Sequence, residues 1–197
     1  MMKSHTTILT SLLLASTLAN ALQVRFKKSD VAEQERILAR RGDMTNCPSP
    51  TDAIPLHRLF QNEGELYRIT ARSLDSDALD GGYEFDGVTA QVFHPDVNHA
   101  MTGPMYHVYN SQTRDNFYTS DAEERDAMLR RDGDCVDKGA VASVFVRRVC
   151  GSKPLYRLYN PMTMNHFYTV DDAEVDEAVA ERGYDDEPAV AAFVLPK

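Results

Sequence analysis

The sequence Pro-Leu-Tyr-Arg-Leu-Tyr-Asn at residues 154–160 repeats, with modest changes, the sequence Pro-Met-Tyr-His-Val-Tyr-Asn at residues 104–110. The match continues in step, because Asn-Phe-Tyr-Thr at residues 116–119 returns as His-Phe-Tyr-Thr at residues 166–169. A repeat of this size is typical of folds that are assembled from copies of one small unit, since a single copy cannot bury its apolar face. We therefore expect the repeated unit to determine the architecture.

A third, more divergent copy lies upstream, where Pro-Leu-His-Arg-Leu-Phe-Gln begins at Pro55. The three copies then occupy residues 55–95, 104–148 and 154–197. We expect them to form a single domain over residues 47–197, because a chain of this length can bury a sizeable core without additional cross-links.

Within a copy, the apolar pattern changes from that of a strand to that of a helix. In the third copy, side chains alternate over residues 155–159, which predicts a strand, and residues 160–163 are turn-forming. Acidic residues from Asp171 onward predict the first turn of a helix, and the apolar residues 189–195 predict a buried third strand. The unit is therefore predicted to be ββαβ. We expect an α+β protein in which three such repeats close around a pseudo-threefold axis.

The first 21 residues have the composition of a secretory signal peptide. Lys3 precedes an apolar stretch at residues 8–18, and Ala-Asn-Ala at residues 19–21 is a typical cleavage site. The apolar stretch is too short to span a bilayer. We therefore expect secretion to the extracellular space, with no membrane association once the signal peptide has been removed.

Residues 22–46 separate the signal peptide from the repeats. Residues 22–41 carry a net charge of +3 and end in the dibasic pair Arg40 and Arg41, a sequence that processing proteases cut. Two interpretations remain open, a propeptide removed after Arg41 and an exposed basic helix that stays attached. The whole chain has a formal net charge of −9 at pH 7. Such an acidic protein is repelled by nucleic acid, which we exclude as a partner.

Three cysteines permit at most one disulfide within the chain. Cys47 lies just before the first copy and Cys150 just before the last. Cys135 instead occupies the position that Tyr83 and Tyr184 hold in the other copies, which is a packing position. We therefore predict a disulfide between Cys47 and Cys150.

The combination of these motifs closely resembles a repeat family of unknown function that is common in secreted fungal proteins. The family is also appended to bacterial exported proteins, including some extracellular hydrolases. Its copies read approximately Pro-Leu-Tyr-Arg-Tyr/Leu-Tyr-Asn, Asp-His-Phe-Tyr-Thr and Gly-Tyr-x-x-Glu-Gly, and the resemblance extends from about residue 47 to the end. It implies an exported, non-catalytic domain. Only the third copy keeps the histidine of the Asp-His pair, as His166, so a function of that pair would be confined to this copy.

Neither catalysis nor a cofactor is expected. The sequence contains no nucleophile elbow, P-loop or zinc-protease motif. The dense acidic residues at 171–177 and 185–187 are more typical of a solvated face than of a calcium loop, which needs a glycine turn between its ligands. We therefore predict that the protein is not an enzyme and holds no metal.

The aromatic side chains concentrate in the two hairpin strands of each copy, next to amide and guanidinium groups. This combination suits sugars, because CH groups of a sugar pack on an aromatic ring while its hydroxyls take hydrogen bonds from polar neighbours. The candidate ligand-binding residues are Tyr109, Asn110, Tyr118, Tyr156, Arg157, Tyr159, Asn160, His166 and Tyr168. The competing interpretation is that the tyrosines form the interior, with their hydroxyls bonded to nearby backbone.

We thus predict a secreted, non-catalytic binding module for cell-wall or surface glycans. The alternative is a secreted protein-interaction protein, such as an effector or an inhibitor, which presents an acidic face to an extracellular protein. An undetected extracellular hydrolase is the least favoured alternative. The sequence does not determine the oligomeric state.

Overall fold

The structure is a computed structural model that describes residues 46–71, 79, 81–186 and 188–197. Within these residues the chain forms nine strands and two helices. The strands are β1 (Ile54–Gln61), β2 (Leu66–Thr70), β3 (Glu84–Val92), β4 (Thr102–Asn110), β5 (Asn116–Thr119), β6 (Cys135–Phe145), β7 (Lys153–Asn160), β8 (Asn165–Thr169) and β9 (Ala189–Val194). The helices are α1 (Ala122–Arg131) and α2 (Asp172–Glu181). Neither of these two helices has the length or the apolar composition needed to cross a bilayer.

The strands form two antiparallel sheets, in the orders β2-β1-β3 and β5-β4-β6-β9-β7-β8. β1, β4 and β7 each carry the proline-containing motif, and each pairs with a strand on both sides. In the larger sheet, β6 and β9 meet through the residue pair Phe145 and Phe193. The smaller sheet contacts the larger one through isolated bridges, one of which joins Gln91 to Leu195.

The predicted fold class is wrong. We expected an α+β protein of three ββαβ repeats around a pseudo-threefold axis, but the described residues form a mostly β, sandwich-like structure of two antiparallel sheets. The helices are too small to form a layer, since each has 10 residues and α1 buries none of them. β6 also pairs with β9, so that six strands form one continuous sheet. The first copy's helix would fall between β2 and β3, where residues 72–78 and 80 lie outside the described residues.

The start of each helix agrees with its sequence. Asp171 precedes α2 and accepts a hydrogen bond from the backbone nitrogen of Ala173 at 2.9 Å. Asp121 precedes α1 and accepts one from the backbone nitrogen of Glu123 at 2.8 Å. An aspartate at this position satisfies a backbone donor that has no partner inside the helix, which stabilises the helix by about 1 kcal/mol.

The main core is filled by side chains from all three proline-containing strands. Leu56, Met105 and Leu155 are fully buried in one cluster, together with Tyr118 and Tyr168. Burying a side chain of this size contributes about 1.5–3 kcal/mol. Side chains from both sheets therefore build the core.

The predicted disulfide between Cys47 and Cys150 is confirmed, with the Cα atoms 5.6 Å apart and a sequence separation of 103. It joins the segment before β1 to the segment before β7. Cys135 is free and partly buried. The predicted signal peptide lies outside the described residues, as does the segment 22–46 apart from Asn46.

Candidate functional site

Tyr118 and Tyr168, two of the predicted ligand-binding residues, lie in the interior and are fully buried. The Tyr168 hydroxyl accepts a hydrogen bond from the backbone nitrogen of Tyr118 at 2.8 Å and donates one to the carbonyl of Asn116 at 3.2 Å. The Tyr118 hydroxyl accepts one from the backbone nitrogen of Ile69 at 3.2 Å. Burial raises the pKa of both phenols well above its usual value. These tyrosines hold strands together and are not accessible to a ligand.

Arg157 is also buried, with 8% of the residue exposed. Its guanidinium binds the carboxylate of Glu124 in α1 through two hydrogen bonds, at 3.1 and 2.5 Å, and donates to the carbonyl of Tyr118 at 3.0 Å. The same group lies 4.2 Å from the centre of the Phe117 ring. Burial by itself raises the pKa of Glu124, but the charge and the hydrogen bonds of Arg157 outweigh it and lower that pKa. Arg157 therefore fastens α1 to the sheet.

Arg58 makes the matching contacts to α2. Its guanidinium donates two hydrogen bonds to Glu174, at 2.8 and 3.0 Å, and one to the carbonyl of Tyr168 at 3.3 Å. It lies 4.9 Å from the centre of the Phe167 ring. Since bidentate arginine–carboxylate pairs are geometrically specific, the two arginines fix both helices against the strands.

Asn110 and Asn160 close the hairpin turns. The side-chain oxygen of each accepts hydrogen bonds from two backbone nitrogens of the following turn, at 2.9–3.2 Å. The amide of Asn160 donates to the carbonyl of Arg182 at 2.8 Å, and that of Asn110 to the carboxylate of Asp132 at 2.7 Å. Both side chains are thus engaged in local structure.

Tyr156 belongs to a second buried cluster, where it packs with Phe167 and with Val175 of α2. Burial, together with the nearby carboxylate of Asp172, raises the pKa of Tyr156 to about 12. Its position indicates a packing role.

The remaining predicted residues, Tyr159 and His166, meet at the surface beside the β4–β5 turn. Nδ1 of His166 lies 2.7 Å from Oδ2 of Asp115, and the backbone nitrogen of His166 donates to Oδ1 of the same carboxylate at 2.8 Å. The centre of the Tyr159 ring lies 4.9 Å from the centre of the imidazole, and the residue Tyr159 is 36% exposed. We call Asp115, His166 and Tyr159 the tyrosine platform. Asp115 fixes the imidazole, and the imidazole supports one side of the phenol ring.

The platform presents a neutral phenol. Burial raises the pKa of Tyr159, and the carboxylates of Asp115 and Asp185 raise it further, whereas the charge of Arg131 acts in the opposite direction. The hydroxyl therefore remains protonated at physiological pH and can donate a hydrogen bond. Among the described residues, no group of three or more His, Cys, Asp and Glu side chains is placed to hold a metal ion.

Tyr109 occupies the position in β4 that Tyr159 holds in β7, but its neighbours differ. It is half-buried, and Nζ of Lys138 lies 5.5 Å from the centre of its ring. The residue opposite it in β6 is Val136, which is exposed. The structure thus leaves two of the predicted tyrosines partly open to solvent, in different electrostatic surroundings.

Sequence reasoning missed the carboxylates that organise these contacts. Glu124 and Glu174 each follow the threonine of the Phe-Tyr-Thr motif by five residues, and this regular spacing is visible in the sequence. Asp115 is not among the predicted site residues, because its partner His166 comes from a different copy. A contact between copies has no fixed spacing in the chain, so the pattern does not reveal it.

The described residues therefore form a disulfide-bonded, mostly β domain with the tyrosine platform at its surface. The family model described as Domain of unknown function (DUF5648) matches residues 55–195. The chain belongs to this family. No curated protein and no solved structure matches it.

Proposed function

We propose that this protein is a secreted, non-catalytic binding module for glycans of cell walls or cell surfaces, with Tyr159 as its main contact. The observation that carries the proposal is the partly exposed ring of Tyr159, which rests on His166 while His166 is held by Asp115. A ring fixed in this way offers a sugar a flat apolar surface beside a hydroxyl donor. Because the ring is held before the ligand arrives, binding loses little side-chain entropy.

Two observations support secretion. The first 21 residues have the composition of a signal peptide. The disulfide between Cys47 and Cys150 is compatible with an extracellular protein, because such bonds persist in oxidising compartments.

A glycan array probed with the disulfide-bonded protein tests the proposal. Tyr159→Ala removes the ring, and we expect it to weaken retention about three- to ten-fold, the range that one aromatic contact contributes. Phe85→Ala is the matched control, because Phe85 is also an exposed aromatic residue, with 51% exposure, but lies in β3. The proposal is rejected if no glycan retains the wild-type protein, or if Tyr159→Ala and Phe85→Ala are retained equally well.

One observation favours the alternative, a secreted protein-interaction protein. The β7–β8 turn carries Met162, which is 86% exposed, and Met164, also exposed. Methionine side chains adapt to many protein surfaces. Met162→Ser leaves glycan retention unchanged under the main proposal. Under the alternative, the glycan array stays empty and Met162→Ser weakens binding to the protein partner.

A further inference from the structure

Basic side chains lie near Tyr109 and its neighbour Tyr83, although the chain as a whole carries a net charge of −9. Nζ of Lys138 lies 5.5 Å from the centre of the Tyr109 ring. Arg114 lies between β4 and β5, is exposed, and donates a hydrogen bond to Oε1 of Gln61 at 2.7 Å. The net negative charge of the protein already favours solubility. Solubility therefore does not account for this local group of positive charges.

One amide, that of Asn116, holds the ring of Tyr83 and the buried ring of His107 in place. Nδ2 of Asn116 donates to the hydroxyl of Tyr83 at 3.1 Å, and Oδ1 of Asn116 lies 2.9 Å from Nε2 of His107. The imidazole of His107 in turn stacks on the buried ring of Tyr118, with the ring centres 4.5 Å apart. The Asn116 amide therefore links Tyr83, just before β3, to His107 in β4.

The charges at this surface are close enough to act on both rings. Burial raises the pKa of Tyr83, while the hydrogen bond from Asn116 and the charges of Arg68 and Arg114 lower it. Burial lowers the pKa of His107 to about 4, and the charges of Arg68 and Lys138 add to that effect, whereas the hydrogen bond to Asn116 and the charge of Asp115 oppose it. His107 is therefore neutral at pH 7, and the positive charge belongs to the lysine and the two arginines.

We infer that the surface formed by Tyr83, Tyr109, Arg114 and Lys138, here called the Tyr109 patch, binds an acidic glycan. The carboxylate or sulfate groups of such a ligand would lie against the cations and a sugar ring against Tyr109. Lysine and arginine suit this role, because hydrogen bonds between charged groups are about twice as strong as neutral ones. The inference rests on the proposed function and adds a second subsite and its ligand class.

The contrast with the tyrosine platform supports this assignment. Tyr159 has the carboxylates of Asp115 and Asp185 near its hydroxyl, whereas Tyr109 lies beneath an ammonium group. Two tyrosines at matching positions of the sequence therefore face ligands of different charge. An acidic sugar is repelled at Tyr159 and attracted at Tyr109.

Titration calorimetry on the disulfide-bonded protein tests the inference. The ligands are oligogalacturonate, a sulfated oligosaccharide, and oligogalacturonate whose carboxyl groups have been reduced to alcohols, which keeps the sugar backbone without the charge. We expect Lys138→Gln and Arg114→Gln each to weaken binding of the acidic ligand by about three- to five-fold. Added salt should weaken it further. Lys153→Gln is the matched control, because Lys153 is exposed at the start of β7, and it should bind as wild type does.

The other outcomes separate the inference from the proposed function. Equal binding of the acidic and the reduced oligomer overturns the inference and leaves the function intact. The same holds if Lys138→Gln and Arg114→Gln bind the acidic ligand unchanged, or if poly-glutamate binds as tightly as oligogalacturonate. If no glycan, neutral or acidic, binds at any concentration, the proposed function fails as well.

Discussion

The hydroxyl of Tyr168 lies 2.8 Å from the backbone nitrogen of Tyr118, the residue fifty positions earlier in the chain. Tyr118 in turn accepts a hydrogen bond from the backbone of Ile69. The acceptor hydroxyls serve β5 and β2, which are both outermost strands of their sheets. An outermost strand has backbone groups without a strand partner, and burying them unpaired is costly. The two tyrosine hydroxyls therefore act as hydrogen-bond acceptors for backbone nitrogens of edge strands that are buried in the core.

Tyr168→Phe should destabilise the fold although it removes a single oxygen atom. The change leaves the buried backbone nitrogen of Tyr118 and the carbonyl of Asn116 without this partner. We expect the free energy of unfolding to fall by about 1–3 kcal/mol, measured by urea denaturation. Tyr159→Phe is the control, because Tyr159 is at the surface, and its effect should stay within about 0.5 kcal/mol. Equal effects of the two changes would contradict a structural role for the Tyr168 hydroxyl.

Acid should weaken the attachment of α2. Burial tends to raise the pKa of Glu174, but hydrogen bonds from Arg58 and Thr169, together with the charge of Arg58, lower it to about 2 from an ordinary value of 4.5. The unfolded chain therefore takes up this proton first. The stability that Glu174 contributes is complete above pH 4.5 and is lost as the pH falls toward 2.

The loss amounts to about 1–2 kcal/mol, because solvent screens the partly exposed carboxylate. Unfolding measured from pH 7 to pH 2 checks this, since Glu174→Gln should flatten that part of the profile. Glu177→Gln is the control, with a carboxylate that is 59% exposed and 4.0 Å from Arg182. A wild-type profile indistinguishable from that of Glu174→Gln would refute the prediction.

His107 should remain neutral until the pH approaches about 4. Burial lowers its pKa from 6.5 to that value, and the hydrogen bond to Asn116 only partly opposes the shift. Because the unfolded chain binds the proton more readily, this residue makes the folded state less stable as the pH falls from 6.5 to 4. An NMR titration of the imidazole protons, assigned with a His107→Gln variant, measures the midpoint. A midpoint near 6.5 would mean that the ring is accessible to water.

Removing the disulfide should cost more than removing the free thiol. The bond between Cys47 and Cys150 spans a sequence separation of 103, and a long loop restricts the unfolded chain strongly. We expect the Cys47→Ser/Cys150→Ser variant to lose about 2–5 kcal/mol of unfolding free energy. Cys135→Ser should lose about 1 kcal/mol or less, because Cys135 is only partly buried. Thermal unfolding under non-reducing conditions compares the two, and similar losses would contradict the assignment.

Local structure was largely predictable from the sequence. The strand predicted at residues 155–159 lies within β7, and the helix start predicted at Asp171 is the residue before α2. The disulfide predicted from the cysteine positions is present. The arrangement of these elements was not predictable. Helical periodicity shows that a helix exists, but it carries no information on which strands of different copies pair, as β6 and β9 do.

The candidate site was harder to predict for a related reason. Alternation places Arg157 and Tyr159 on the same side of β7, as if that side faced water. In the structure, residues 154–158 are all buried, so both faces of the strand are covered there. Arg157 is consequently 8% exposed and Tyr159 36%. Arg157 is held in the interior partly by Glu124 of α1, and this contact is long-range in the chain.

The bridge between Cys47 and Cys150 also decides what happens when a protease in the surroundings attacks this chain. A single cut anywhere between the two half-cystines opens the ring but releases no fragment, because the pieces stay covalently joined. Separation requires a second cleavage or reduction of the bond. A first cut within this loop therefore leaves the chain as one covalently connected molecule.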